Sequence, residues 1–415
     1  MFRKSVAALA AGALFTLAAC GGPTGGTTTA EDGVKMGLGV TAEEIRVGLL
    51  TDYSGPIAEA ATSGSLGSEV LFSKINDEGG ICGRKIVVDK QDTKYDPQVT
   101  TQVYRAVSRK VVMLTQIIGT ASIVAVKDSI ARDSMPTITA SLNTTTLREK
   151  DIYVPLPVFE IELANGVVWA AQQAGASADH PLKLALVTSA DAYGEVYADA
   201  TVSAATQTPG VEVVANPTFT ATDTDFTAQV AALKKSGADV VMLGVTPAQV
   251  AGLVGQSAQL GYTPTWISTS GSWNSALAEP LAGLLDTFYV SGGYGTLDDD
   301  VHGIRELKDA MATYAPEATL HNFNVGGWLT GTATVAALTK ACENKDLTRE
   351  GVSEAMRDLE VDYQGITPPV NLGNGGTIVS YFSRINTVGP GGVLTPVTDF
   401  MATDAAKAWG QAQGL

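Results

Sequence analysis

The feature that most restricts this chain is the alternation of short apolar runs with longer segments striped at helical spacing. Ile45 to Leu50 is an apolar run that ends in the turn Thr51-Asp52-Tyr53-Ser54-Gly55-Pro56. Leu66, Val70, Leu71 and Ile75 then share one helical face, and Gly79-Gly80 stops that helix. Ile86-Val87-Val88 predicts a second strand, and Val99, Val103 and Val107 stripe a second helix. Val111 to Ile118 predicts a third strand, leading through Gly119-Thr120-Ala121-Ser122 into a helix that ends near Asp133. Strands separated by helices pair in parallel, and the connecting helices must cover the faces of the sheet, so the pattern predicts an α/β layered fold.

The pattern resumes after Pro155 and Pro157. Lys183 to Thr188 is followed by Ser189-Ala190-Asp191-Ala192-Tyr193-Gly194, an echo of the first strand and its turn. Helices striped by Phe226, Val230 and Leu233, and by Val250, Leu253, Val254 and Leu260, flank a strand at Asp239 to Leu243. Val301 to Tyr314 and Val325 to Ala341 read as helices, the second with Val325, Trp328, Leu329, Thr332 and Val335 facing inward. Beyond Asp362, Gly and Pro punctuate short strands such as Ile378 to Ile385, and residues 402–415 read as a tail or a helix.

Composition removes competing functions. With 43 acidic against 27 basic residues the formal charge is -16, which repels a phosphate backbone, so nucleic acid is not expected as a partner. Three Cys and three His lie far apart without the paired spacing of a zinc site, so no metal or other cofactor is expected. No Gly-x-Ser-x-Gly occurs, and His180, His302 and His321 have no Ser or Cys pattern beside them. Asp298-Asp299-Asp300 reads as a solvated loop, because adjacent carboxylates face different ways. A binding protein is therefore expected, not an enzyme.

Arg3 and Lys4 precede the short apolar run Val6 to Leu17, and Leu17-Ala18-Ala19-Cys20 sets small residues before a cysteine. This resembles a bacterial lipoprotein signal, with residues 1–19 removed and Cys20 lipidated to hold the chain on a membrane; a cleaved, non-lipidated signal is the alternative. Residues 20–42, rich in Gly, Thr and Pro and including Lys35 and Met36, read as a flexible linker.

Read in order, Ile45 to Pro56, then Ile75-Asn76-Asp77-Glu78-Gly79-Gly80-Ile81-Cys82-Gly83-Arg84-Lys85-Ile86, then Asp92 with Tyr95-Asp96-Pro97, resemble the branched-chain amino-acid type of solute-binding protein that serves ABC importers. The likeness runs from about residue 43 to 400. It implies a two-lobed type I periplasmic-binding-protein fold, each lobe a mainly parallel sheet flanked by helices, with three interlobe crossovers. Residues 43–157 plus 291–361 would form lobe 1, and residues 158–290 plus 362–401 lobe 2. A small amino acid or another carboxylate-bearing solute would sit in the cleft of a monomer and pass to importer permease subunits. A ligand-sensing receptor subunit built on the same body is the alternative.

Parallel sheets bind ligands beyond the carboxyl ends of their strands. Thr120, Ala121 and Ser122 stand at such a place, where hydroxyls and free N–H groups of a helix start suit a carboxylate; capping the helix is the other reading. The resemblance places ligand contacts at Ser141 and Asn143, which an ordinary turn would also use, and an aromatic cover at Tyr193. Tyr53 and Thr246 complete the candidates. In the family a second-lobe loop usually supplies an acid for the ligand ammonium. Here that loop reads Ser268-Thr269-Ser270-Gly271-Ser272-Trp273-Asn274, without a carboxylate. Either Asp191 or another acid substitutes, or the ligand lacks an α-amino group. The first loop, Ala58 to Ala61 around Glu59, also lacks the family's aromatic, so Trp273 and Tyr294 are candidates for aromatic walls or for the core. Cys82 and Cys342 would both fall in lobe 1, where an exported chain suggests a disulfide, with two buried thiols as the alternative.

Overall fold

The computed structural model describes residues 27–190, 192–220, 223–372 and 376–415. The signal segment, Cys20 and Asp191 lie outside the described residues. After β1 (Thr28–Thr29) and β2 (Lys35–Met36) the chain runs β3 (Glu44–Thr51), α1 (Ala58–Asp77), β4 (Lys85–Asp92) and α2 (Pro97–Val107). Then come β5 (Met113–Ile117), α3 (Thr120–Arg132), β6 (Thr137–Ile138) and β7 (Ile152–Tyr153). These strands form a parallel sheet in the order β4-β3-β5-β6-β7. β5 is buried along its whole length, as a strand covered on both faces must be.

A second sheet begins after α4 (Phe159–Ala174) with β8 (Leu182–Ser189), α5 (Ala192–Gln207), β9 (Val211–Ala215) and β10 (Thr218–Phe219). It continues through α6 (Thr227–Ser236), β11 (Val240–Gly244), α7 (Pro247–Gln259), β12 (Thr265–Thr269) and β13 (Phe288–Gly292). The chain then returns to the first lobe for α8 (His302–Tyr314), α9 (Asn322–Glu343), β14 (Asp346–Leu347) and α10 (Arg349–Met356). A small hairpin, β15 (Glu360–Val361) with β16 (Val370–Asn371), leads back to β17 (Arg384–Val388), β18 (Leu394–Pro396) and α11 (Asp404–Ala412). The second sheet has the order β10-β8-β11-β12-β13-β17-β18, with β9 also on β8 and the last two strands antiparallel. The chain thus crosses between lobes three times: before α4, after β13 and after the β15–β16 hairpin. The terminal segment is a helix packed on α4 and α5, and the last long strand starts at Arg384, later than the expected Ile378 to Ile385.

In lobe 1, α1 and α9 touch backbone to backbone. A Cβ on Gly327 would fall 1.6 Å from the Gly64 carbonyl oxygen, so only glycine permits this crossing. Asn324 Nδ2 donates to Ser63 O at 2.7 Å, and the Cys82–Cys342 disulfide, with Cα atoms 6.1 Å apart, joins the turn after α1 to the last turn of α9.

The expected flexible linker is corrected from Thr28 onward. β1 pairs with β2, β2 pairs with β14, and Val34 and Val40 are buried on lobe 1. Arg84, itself buried, donates from Nε to Thr41 O at 2.9 Å and from Nη1 to Asp32 at 2.9 Å. The Gly- and Thr-rich composition concealed two apolar anchors, and Arg84, which holds Thr41 and Asp32, stands far along the chain. The Asn-x-x-Gly-Gly segment has a comparable structural task. Asn76 Oδ1 accepts from Ile86 N at 2.7 Å and its Nδ2 donates to Ile86 O at 2.8 Å, which clamps the turn between α1 and β4.

Candidate functional site

The turn after β3 is built by two carboxylates. Asp52 accepts from Ser54 N at 3.1 Å and Ile57 N at 2.9 Å, occupying donors at the start of α1. Asp92 accepts from Tyr53 N at 3.0 Å, Lys94 N at 3.0 Å and Ser54 Oγ at 2.6 Å. These donors hold the Asp92 carboxyl below its ordinary range against the opposing effect of burial.

This turn brings the first two turns of α1 to a cavity of about 120 Å³ between the lobes. One water needs some 10–15 Å³ on this measure, so the cavity takes roughly eight to twelve non-hydrogen atoms. Its lobe 1 wall comes from Ile57, the N-cap of α1, with Ala60, Ala61 and Gly64 of α1, and from Phe323, Gly326, Gly327 and Thr330 of α9, residues spaced to share one face of each helix. Gln116, Ile118, Ser141 and Leu142 continue this wall at the ends of β5 and β6. Across from it stand Phe159, Tyr193, Thr246, Pro247, Gly271 and Tyr294. Tyr197 packs edge-on between Tyr193, with centroids 4.5 Å apart, and Phe159, 6.1 Å apart, which sets the planes of this aromatic wall. Gly271 makes room for it, since a Cβ there would lie 2.7 Å from the Phe159 ring. Among the described residues no charged side chain lines the cavity. The N-termini of α1, α4, α5, α7 and α9 all open near it, so the field there favours electron-rich groups.

Of the candidates drawn from the sequence, Ser141, Tyr193, Thr246 and Tyr294 line this cavity. The others do not. Thr120 Oγ1 accepts from Asn143 Nδ2 at 2.8 Å and Ser122 Oγ lies 2.9 Å from Thr100 Oγ1, so all three candidates are buried inside lobe 1. Ala121 is exposed away from the cavity, and Tyr53 is held in its turn, half-buried. Trp273 is core: it packs against Phe288 and donates Nε1 to Gly392 O at 3.0 Å. At the α3 N-terminus Ser141 Oγ accepts the Gly119 N–H at 2.8 Å and the Thr120 hydroxyl accepts from Asn143, so these two groups are engaged within lobe 1. Gln116, Phe159 and the α9 residues were not foreseen. Gln116 left a signal, a polar residue inside the apolar run Val111 to Ile118; α9 gave none, because its approach to α1 is a tertiary event.

Two buried glutamates lie at the start of α4, beside the first crossover. Glu162 accepts from Ser270 N and Oγ at 2.8 Å each and from Gly293 N at 2.7 Å, fixing the carboxylate-free loop and one crossover. Burial pushes Glu162 up to about 8 although these donors pull the other way. Glu160 Oε1 accepts from Thr144 N and Oγ1 at 2.8 Å each, a bond from lobe 2 to lobe 1, while Oε2 has no partner among the described residues. Burial pushes Glu160 up to about 7. Across the cleft, Ser275 Oγ and His321 Nδ1 lie 2.8 Å apart.

The family model for periplasmic binding proteins matches residues 44–382. The chain is 24% identical over 325 residues to the Leu/Ile/Val-binding protein BraC3 of Rhizobium johnstonii, covering 76% of this chain and 84% of that one. It is 28% identical over 255 residues to the Leu/Ile/Val/Thr-binding protein of Salmonella typhimurium, covering 59% and 68%. Among solved structures, a fatty acid ABC transporter substrate-binding protein from Thermomonospora curvata superposes with a TM-score of 0.86 at 29% identity, covering 92% of this chain and 98% of that one. A branched chain amino acid ABC transporter from Thermus thermophilus with bound valine shares the fold, with a TM-score of 0.77 at 18% identity over 89% and 99% of the two chains.

Proposed function

The chain belongs to the periplasmic binding protein family, in its Leu/Ile/Val-binding branch, and from that premise we propose that this ABC-transporter solute-binding protein captures a short apolar solute lacking an α-ammonium group, an aliphatic acid or amide, and hands it to importer permease subunits. The observation that carries this reading is the apolar lining of the cavity, to which the described residues contribute no charged side chain. A desolvated ammonium without a counter-charge is costly, whereas an aliphatic body gains from walls of Ile57, Leu142, Phe159 and Phe323. The likeness to a fatty acid transporter component supports the same direction. The cavity is small, so a chain of about six carbons fits the space described.

A ligand that binds only the folded state raises the melting temperature by mass action. Hexanoate or hexanamide is expected to raise it, with calorimetry confirming one site, and leucine at equal concentration is not. Tighter binding of leucine than of either would overturn the reading.

The same proposal places the protein outside the cytoplasm as a monomer, lipid-anchored through Cys20 to the outer face of the cytoplasmic membrane, with the small Leu-Ala-Ala step before Cys20 as its support. Cys20→Ala is expected to move the protein from the membrane to the soluble fraction; unchanged fractionation would contradict the anchor.

A further inference from the structure

Gln116 is the buried polar group that this cavity leaves unfinished. It stands near the end of β5, is 2% exposed, and lines the cavity beside Ile118. Its Nε2 donates to Thr51 Oγ1 at 3.0 Å and to Ser65 Oγ at 3.2 Å. The Ser65 hydroxyl directs its one hydrogen to Ala61 O at 2.8 Å, so toward Gln116 it can only accept. That bond fixes the amide with its nitrogen toward α1 and β3. Both amide hydrogens are then used, and no described protein group donates to Oε1. Ser141 is complementary. Its Oγ accepts from Gly119 N at 2.8 Å, and its own hydrogen has no acceptor among the described residues.

We infer that Gln116 sets specificity: its Oε1 selects solutes that carry a neutral hydrogen-bond donor, a hydroxyl or an amide N–H, on an otherwise apolar body. A plain carboxylate offers only acceptors and would set its lone pairs against Oε1. A hydroxyl or amide gives a donor to Gln116 and an acceptor to Ser141, completing both groups. Completing a buried acceptor, as against leaving it unpaired, corresponds to roughly tenfold in affinity. The inference rests on the apolar-solute reading and narrows it from simple acids to amides and hydroxy acids.

Titration calorimetry of the whole protein with hexanoate, 6-hydroxyhexanoate and hexanamide tests it. At least one donor-bearing probe is expected to bind about tenfold more tightly than hexanoate. In Gln116→Met, a near-isosteric change that removes Oε1, that advantage should disappear, because the acceptor for the donor probe and the lone pairs that oppose the hexanoate carboxylate go together. The wild-type ratio is informative even where the variant folds poorly. Hexanoate binding as tightly as both donor probes, or an advantage that survives in Gln116→Met, overturns the inference and leaves the apolar-solute reading standing. If leucine binds and none of the three probes does, that reading falls and takes the inference with it.

Discussion

The two walls of the cleft reach similar apolarity by different means. Between Tyr95 and Phe323 at its edges, lobe 1 presents mainly backbone and small side chains, Ala60, Ala61, Gly64, Gly326 and Gly327, on two helices in direct contact. Lobe 2 presents rings, Phe159 and Tyr193 with Tyr197 behind them. A wall made of backbone cannot be adjusted one side chain at a time without moving the helices that form it. A wall made of rings can. The contrast teaches that changes in lobe 1 should register mainly as stability, and changes in lobe 2 mainly as affinity.

The largest expected effect is in lobe 1. The Cys82–Cys342 bond closes a sequence separation of 260 residues, and on a chain-entropy view its loss costs about 5.5 kcal/mol. Cys82→Ser with Cys342→Ser should lower the calorimetric melting temperature clearly, and unreduced, denatured wild type should show neither of these thiols free. Affinity for a bound probe should change little, because neither cysteine lines the cavity. A double variant that melts with the wild type would mean the Gly64–Gly327 contact alone holds the wall.

The same division explains what the sequence made legible. The strand and helix order follows from local periodicity, and β3, α1, β5 and α8 lie close to their expected positions. The motif from Asn76 to Arg84 identified the family, yet in the structure it clamps a turn and docks the N-terminal strands; it is informative about fold and silent about ligand. The lobe 2 residues Tyr193 and Thr246 were readable because they start helices directly after strands, where side chains face the cleft by construction. In lobe 1 that rule pointed at Thr120 and Ser122, and there the hydroxyls turn inward to Asn143 and Thr100. The wall itself comes from α9, some two hundred residues beyond β5, and only packing brings the two together. Glu160 and Glu162 read as ordinary first-turn acids of a helix, and nothing local marks them as buried.

A smaller effect joins the two lobes. Glu160 is pushed up to about 7 from an ordinary 4.5, so the folded state favours its protonated form. The stabilisation is full below the unfolded value and is lost as pH rises through about 7, amounting to roughly 3 kcal/mol at most. Glu160→Gln can keep the oxygen that accepts from Thr144 and place its NH2 where Oε2 has no partner among the described residues. The wild type should therefore lose stability in urea unfolding between pH 5 and pH 8, and the variant should show a flatter profile, with the remaining slope from Glu162, raised to about 8. Identical slopes in the two proteins would remove Glu160 as a pH-dependent tie between lobes.

The smallest stability effect and the sharpest affinity effect are expected at Tyr193. Its ring lines the cavity, half-buried, and rests edge-on against Tyr197 at 4.5 Å. Removing it leaves Tyr197 and Phe159 packed on each other, so Tyr193→Ala should cost only about 1 kcal/mol of stability. The ligand, however, loses a ring face on a wall that has few other contacts to offer, and affinity for a hexanoate or hexanamide probe should fall about tenfold. Tyr193→Phe should keep most of it, since the ring and not the hydroxyl supplies the contact. Should Tyr193→Ala instead destabilise the fold as much as loss of the disulfide while leaving affinity intact, the ring wall would be scaffold like its counterpart, and the contrast between the lobes would fail at the residue where it is most exposed to test.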